Sequence, residues 1–170
     1  MPVLLSLEQV EKQGKEIEKF RGDLFKQKYL SQVRPFPCVR ELFERILSDG
    51  KKIAVASSAK KNELEHYEKL AKVDDLVQTD ITSEDAAQSK PYPDIFLAAI
   101  ERLGSPARDR ILVVGDAPYD AEAANKASVA AIGVLCGGFP EDTLRSAGCI
   151  AIYKDPADLL YQYQESPICR

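Results

Sequence analysis

The sequence predicts an α/β protein built on a doubly wound parallel sheet, with helices on both faces in three α/β/α layers. Short apolar runs alternate with amphipathic stretches from about residue 50 onward, in the order strand, helix, strand, helix. The runs "IAVA", "ILVV" and "IGVL" lack the apolar/polar alternation of a half-exposed strand, as expected of parallel strands covered on both faces. At 170 residues the chain is long enough for one well-buried domain, so any second module is a small appendage.

Residues 6–30 are charged and helical in pattern. Ser6 and Gln9 can form a capping box, and Ile17, Phe20 and Leu24 fall on one face, while Gly14 and Gly22 weaken the helix. The prolines of "VRPFPC" end this segment. A clean helical stripe of Val39, Leu42, Phe43, Ile46 and Leu47 follows, closed by Gly50. Strands are then expected in "KIAVAS", "DLVQTD", "ILVVGD", "AAIGVL" and "CIAIY". Helices are expected in "NELEHYEKLAKV", "PDIFLAAIERLG", "DAEAANKA", "PEDTLRSAG" and "PADLLYQY". No internal repeat or low-complexity segment interrupts this order.

Apolar residues at 45% and charged residues at 29% suit a soluble globular chain, and no apolar run approaches the roughly 20 residues that cross a bilayer. The start, "MPVLLSLEQ", has neither a basic region nor a long apolar stretch, which favours the cytoplasm. A net charge of −4 gives no reason to expect nucleic acid. The four cysteines form no CxxC pair, and His66 is the only histidine, so neither a zinc cluster nor a Cys/His nucleophile pair is indicated. His66 reads as a partly exposed helix residue.

Ligands of doubly wound sheets bind at the carboxyl ends of the strands, so the residues just beyond each run carry the functional expectation. After "IAVA" come Ser57 and Ser58; "QSKPYPDIF" supplies Lys90; after "ILVVG" come Asp116 and Asp120. A hydroxyl, an ammonium and a carboxylate pair on one sheet edge suit a phosphorylated ligand with Mg2+: Ser57 and Lys90 on phosphate oxygens, Asp116 on the ion. Each residue also has a plainer reading. Either serine can be a helix N-cap, Lys90 a solvated loop residue, and the aspartates a turn and a helix N-terminus.

"IAVASSAKKNE", "SKPYPDIFLAAIERLG" and "VVGDAPYDAEAANKA" resemble, in order and spacing, the second, third and fourth motifs of haloacid dehalogenase-like (HAD) hydrolases. The similarity is nearest the phosphoglycolate phosphatase and β-phosphoglucomutase branch and covers about residues 34–163. It implies a Rossmann-like HAD core and a phosphatase or related phosphomonoester hydrolase. It assigns Ser57, with Ser58 beside it, to the transferring phosphate, and Lys90 to the phosphate and the nucleophile. Asp116 would hold Mg2+, with Asp120 supporting the metal shell. Ala117 departs from the serine or threonine common after "GD", and Cys38 stands where glycine is commoner.

The family's first motif, DxDG(T/S), supplies its nucleophile and general acid, and these 170 residues contain no such motif. Neither Asp23 nor Asp49 follows an apolar strand, so neither is assigned the nucleophile's role. In the family that motif ends a strand at the centre of the sheet, between the strands carrying Ser57 and Asp116. Its loss leaves two edges without partners, and an unpaired buried peptide group costs about 1 to 3 kcal/mol. Either the edges close on each other, "PVLLSL" fills the slot, or another chain does. Residues 1–33 are expected to be a remnant of the helical cap that the family inserts after its first motif, and residues 34–170 the core, a truncated arrangement.

Two functions follow. One is a Mg2+-dependent phosphatase by family that is inactive as this chain, acting on a small phosphorylated metabolite. The other is a non-catalytic phosphate-binding or regulatory protein completed by a partner chain, with self-association through its open edges. A phosphate-accepting receiver domain is a third reading, but its acidic pair belongs near the first strand and its lysine near the last.

Overall fold

The computed structural model describes residues 7–169. They fall into two compact units that divide after Arg34. The first holds α1 (Leu7–Lys28) and a single 3-10 turn at Leu30–Gln32. α1 runs unbroken through Gly14 and Gly22, although a glycine costs about 1 kcal/mol in a helix interior. Of the expected apolar face, Ile17 and Phe20 are exposed. Ser6, the expected cap, lies outside the described residues, as does most of "PVLLSL".

The second unit begins with α2 (Val39–Ser48), whose apolar stripe buries Leu42. The helix stops where Gly50 turns to φ 72° and donates its N–H to Leu47 O at 2.9 Å. At the other end the N-cap is Cys38 at φ 60°. In that left-handed region a Cβ crowds the following carbonyl, which explains why glycine suits the position.

Strands and helices then alternate as the sequence pattern requires: β1 (Ala54–Ala56), α3 (Lys61–Ala71), β2 (Thr79–Ile81), α4 (Asp94–Arg102), β3 (Leu112–Gly115), α5 (Pro118–Lys126), β4 (Ala130–Val134), α6 (Glu141–Ser146), β5 (Cys149–Tyr153) and α7 (Pro156–Tyr161). Every described strand pair is parallel. β2 occupies only the end of "DLVQTD", because Leu76 N–H bonds Val73 O in a turn that uses up the start of the run.

The strands form two sheets rather than one. β1 pairs with β2, and β3, β4 and β5 form a separate sheet in that order. The edges of β1 and β3 therefore do not close on each other. The interior of the strand run also departs from the expected two-sided burial. β4 matches it, with Ile132 fully buried and every residue after Ala130 inaccessible. β1 is only half-buried throughout, and Val114 of β3 is 45% exposed. An apolar run announces what a strand would bury given neighbours on both sides, and among the described residues these two strands each have a neighbour on one side only.

Side-chain alternation along β4 divides the core between two helical layers. Ala131 packs in a cluster with Ile95, Phe96, Ile100, Ala121 and Ala124 of α4 and α5. Ile132 and Val134 pack on the other face with Leu42 of α2 and Leu159 of α7. β5 follows the same division only because of a bulge. Ala131 pairs with Cys149 while Ile132 pairs with Ala151, so Ile150 is extra and stands 57% exposed. No described helix is long and apolar enough to cross a membrane.

Replacing Cys38 by glycine should relieve its left-handed backbone and raise stability by about 0.5 to 1 kcal/mol. Cys38→Val should lower it, because a β-branched side chain tolerates that region worst. Urea denaturation of the two variants against the parent chain tests the pair of signs.

Candidate functional site

The carboxyl ends of β1 and β3, in different sheets, are joined by one side chain. Lys90 follows the loop after β2 and precedes Pro91 across a cis peptide bond. Its Nζ donates to Ala56 O at 3.3 Å and to Asp120 Oδ1 at 2.6 Å, and it lies 5.5 Å from the centre of the Phe96 ring. Lys90 is thus not a solvated loop residue: its side chain is 18% exposed and that of Asp120 12%.

Two features of α5 hold this arrangement. Asp120 is the third residue of the helix and turns back so that Oδ2 accepts the Ala117 N–H at 3.1 Å. The capping is one-sided, because alanine at 117 has no oxygen to return the bond. One turn and a half later, Lys126 Nζ donates to Pro91 O at 2.8 Å and sits over the Tyr92 ring at 5.7 Å. Lys126 was not indicated by the motif reading, where it looks like one more charge on a solvated helix face.

Ser57 follows β1 directly. Its N–H donates to Ile81 O at 2.9 Å, and its Oγ accepts from Ala59 N–H at 3.1 Å. Neither serine caps a helix, since α3 starts from Lys60. Ser58 lines a cavity of about 10 Å³ with Ser83, Gln88, Ser89, Lys90 and Ile95. That is room for about one water molecule.

Asp116 occupies the same rim, just past Gly115, whose missing side chain makes room for Asp120: a Cβ on Gly115 would stand 2.4 Å from Asp120 Cβ. Asp116 is exposed and makes no ion pair or hydrogen bond among the described residues. The loop after β4 supports it from the other side. A Cβ on Gly137 would meet Asp116 O at 2.4 Å. Burial, and then the charge of Asp116, push the Cys136 thiol up, and burial with Asp120 does the same for Cys149.

Oxygen donors of this kind suit Mg2+, but the two aspartates do not make equal ligands. Asp120 has one oxygen on an ammonium and the other on a peptide N–H, which leaves Asp116 as the free carboxylate. Among the described residues no three acidic, histidine or cysteine side chains come together as a metal site. Mg2+ is commonly held by one or two carboxylates, with phosphate and water filling the rest of its octahedral shell.

A family model described as haloacid dehalogenase-like hydrolase matches residues 3–134. A provisionally named pyrophosphatase, PpaX, of Caldanaerobacter subterraneus is 35% identical over 107 residues, covering 63% of this chain and 48% of its own. The phosphoglycolate phosphatase of Rhodospirillum rubrum is 33% identical over 85 residues, covering 50% of this chain and 34% of its own. Among solved structures, a hydrolase from Pseudomonas syringae superposes with a TM-score of 0.79 at 30% identity, over 96% of this chain and 73% of that one. The chain spans about half or less of the length of these curated relatives.

Removing one member of the Lys90–Asp120 pair leaves the other charge largely buried and unpaired. Asp120→Ala should destabilise the chain by about 3 kcal/mol or more. In that background Lys90→Met should cost far less than it does alone, giving a coupling above about 1 kcal/mol in a double-mutant denaturation cycle. Additive effects would mean that the pair is not formed in solution.

Proposed function

The chain belongs to the haloacid dehalogenase-like hydrolase family, and from that premise we propose that it is the phosphate-handling part of a phosphomonoester hydrolase core, here without the nucleophile motif. What supports this most is the state of Lys90. An ammonium has three N–H donors, and two are engaged by Ala56 O and Asp120, so one remains for an oxyanion at the strand ends. Because Asp120 and the Ala56 carbonyl fix its position before a ligand arrives, little is lost in ordering it. Ser57, with Ser58 next to it, adds hydroxyl donors after β1, and Asp116 offers one carboxylate to a cation that arrives with the phosphate. The ligand on this reading is a small phosphorylated metabolite. No group among the described residues is placed as nucleophile or general acid, so the chain by itself binds phosphate and does not turn over esters.

A second reading is favoured by the separate sheets. Among the described residues β1 and β3 each keep an unpaired edge, and such edges recruit further strands. On this reading the protein is a non-catalytic, regulatory phosphate binder that is completed by a partner chain or self-associates, and a Val114→Lys charge on the open strand reduces that association in sedimentation velocity.

With Mg2+ present, the purified chain should show negligible turnover of p-nitrophenyl phosphate and phosphoglycolate. Steady-state turnover that Asp116→Ala abolishes would refute the inactive reading. Titration calorimetry should register inorganic phosphate binding that Lys90→Ala removes. A flat titration of the parent chain would overturn the phosphate-handling role.

A further inference from the structure

Away from the strand ends, α3 and β2 meet through two acids. Glu68 in α3 is 6% exposed and interacts at short range with Asp80 in β2. Glu68 Oε1 and Asp80 Oδ1 are both buried with no hydrogen-bond partner among the described residues. Ionised carboxylates only accept hydrogen bonds, so two buried ones that face each other lack a donor unless one keeps its proton. The alternative, two buried negative charges in contact, is strongly disfavoured by desolvation and repulsion together.

We infer that Glu68 keeps a proton and donates it to Asp80, which fastens α3 to β2, and that this latch opens as the solution turns alkaline. The acidic groups that act on it all push one way. Asp80 from β2, Asp74 from the turn after α3 and Glu65 from α3 itself act on Glu68, and each disfavours its ionisation. The basic groups nearby are engaged with other acids. Arg40 of α2, which reaches the Lys72 carbonyl at the end of α3, is paired with Asp75 and Glu44. Arg102 of α4 bonds the Asp80 carbonyl at 2.6 Å, but its charge is paired with Asp85. Burial first, then Asp80, raises the Glu68 carboxyl from its ordinary value to about 7.

The latch acts on a two-stranded sheet. Asp80 stands opposite Val55 in the two-stranded β1–β2 ladder, and the next residue, Ile81, accepts the Ser57 N–H. Proton loss therefore loosens the strand pair from which Ser57 projects. This inference does not depend on the phosphatase reading.

The sign follows from linkage. The unfolded chain releases this proton near pH 4.5, whereas the folded chain keeps it to about 7, so the stabilisation is complete in acid, falls between those values and is gone above them. Other displaced groups act elsewhere. Asp23, Asp75, Asp85 and Asp158 are all lowered, so their stabilisation fades only in stronger acid, while Cys136, Cys149 and Tyr163 are raised and act in alkali.

Urea denaturation at pH 5 and pH 8 should show the folding equilibrium constant of the parent chain falling about a hundredfold. Glu68→Gln, whose amide can donate to Asp80 without titrating, should keep the fall below about fivefold. The parent chain at pH 6 should also show an infrared carbonyl band of a protonated carboxyl that this variant lacks. A parent chain equally or more stable at pH 8, a glutamine variant with the parental slope, or the absence of that band overturns the latch. Should Glu68→Gln fail to fold, Asp80→Asn and the band in the parent chain decide by the same criteria.

Discussion

One ammonium group connects what the backbone leaves apart. β1 and β3 share no ladder, yet the carbonyl that ends β1 and a carboxylate at the start of the helix after β3 both accept hydrogen bonds from Lys90. The rim of this protein depends on that convergence. Without it, Ser57 and Asp116 would belong to independent sheets, related by helix packing through α4 and α5 and by the Lys126–Pro91 hydrogen bond. The price of tying the sheets with a charge is partial burial of both Lys90 and Asp120, tolerable because each is satisfied by the other and by a peptide group.

Acidic side chains in this fold take three distinct states, each set by what surrounds it. Asp116 is exposed and, among the described residues, unpartnered. Asp120 is buried against a cation and serves position. Glu68 is buried beside Asp80 and keeps a proton. The same functional group thus supplies a free ligand, a brace and a latch, and the difference lies in the nearest donor rather than in the residue.

The order of elements and the class of fold were legible from periodicity, and the three motifs located the rim. The Cys38 departure was legible too, and φ 60° gives its physical content. Pairing did not show in periodicity, since an apolar run such as "ILVV" says nothing about whether a strand has one neighbour or two; it was the missing first motif that left the strands carrying Ser57 and Asp116 with open edges, as β1 and β3 have among the described residues. The motif placed Asp120 with the metal, although its place three residues after Ala117 is equally that of a helix-capping carboxylate, a reading the sequence kept open. Lys126 and Glu68 look like ordinary charges on helices, "AANKA" and "HYEKL", until a partner from another segment is known.

The close approach of Gly137 to the Asp116 main chain carries its own implication. Two loops that follow adjacent strands are in van der Waals register at one point, so the free carboxylate cannot lean toward β4 without first moving a peptide. The turn after β4 is in that sense a backstop on one side of the carboxylate.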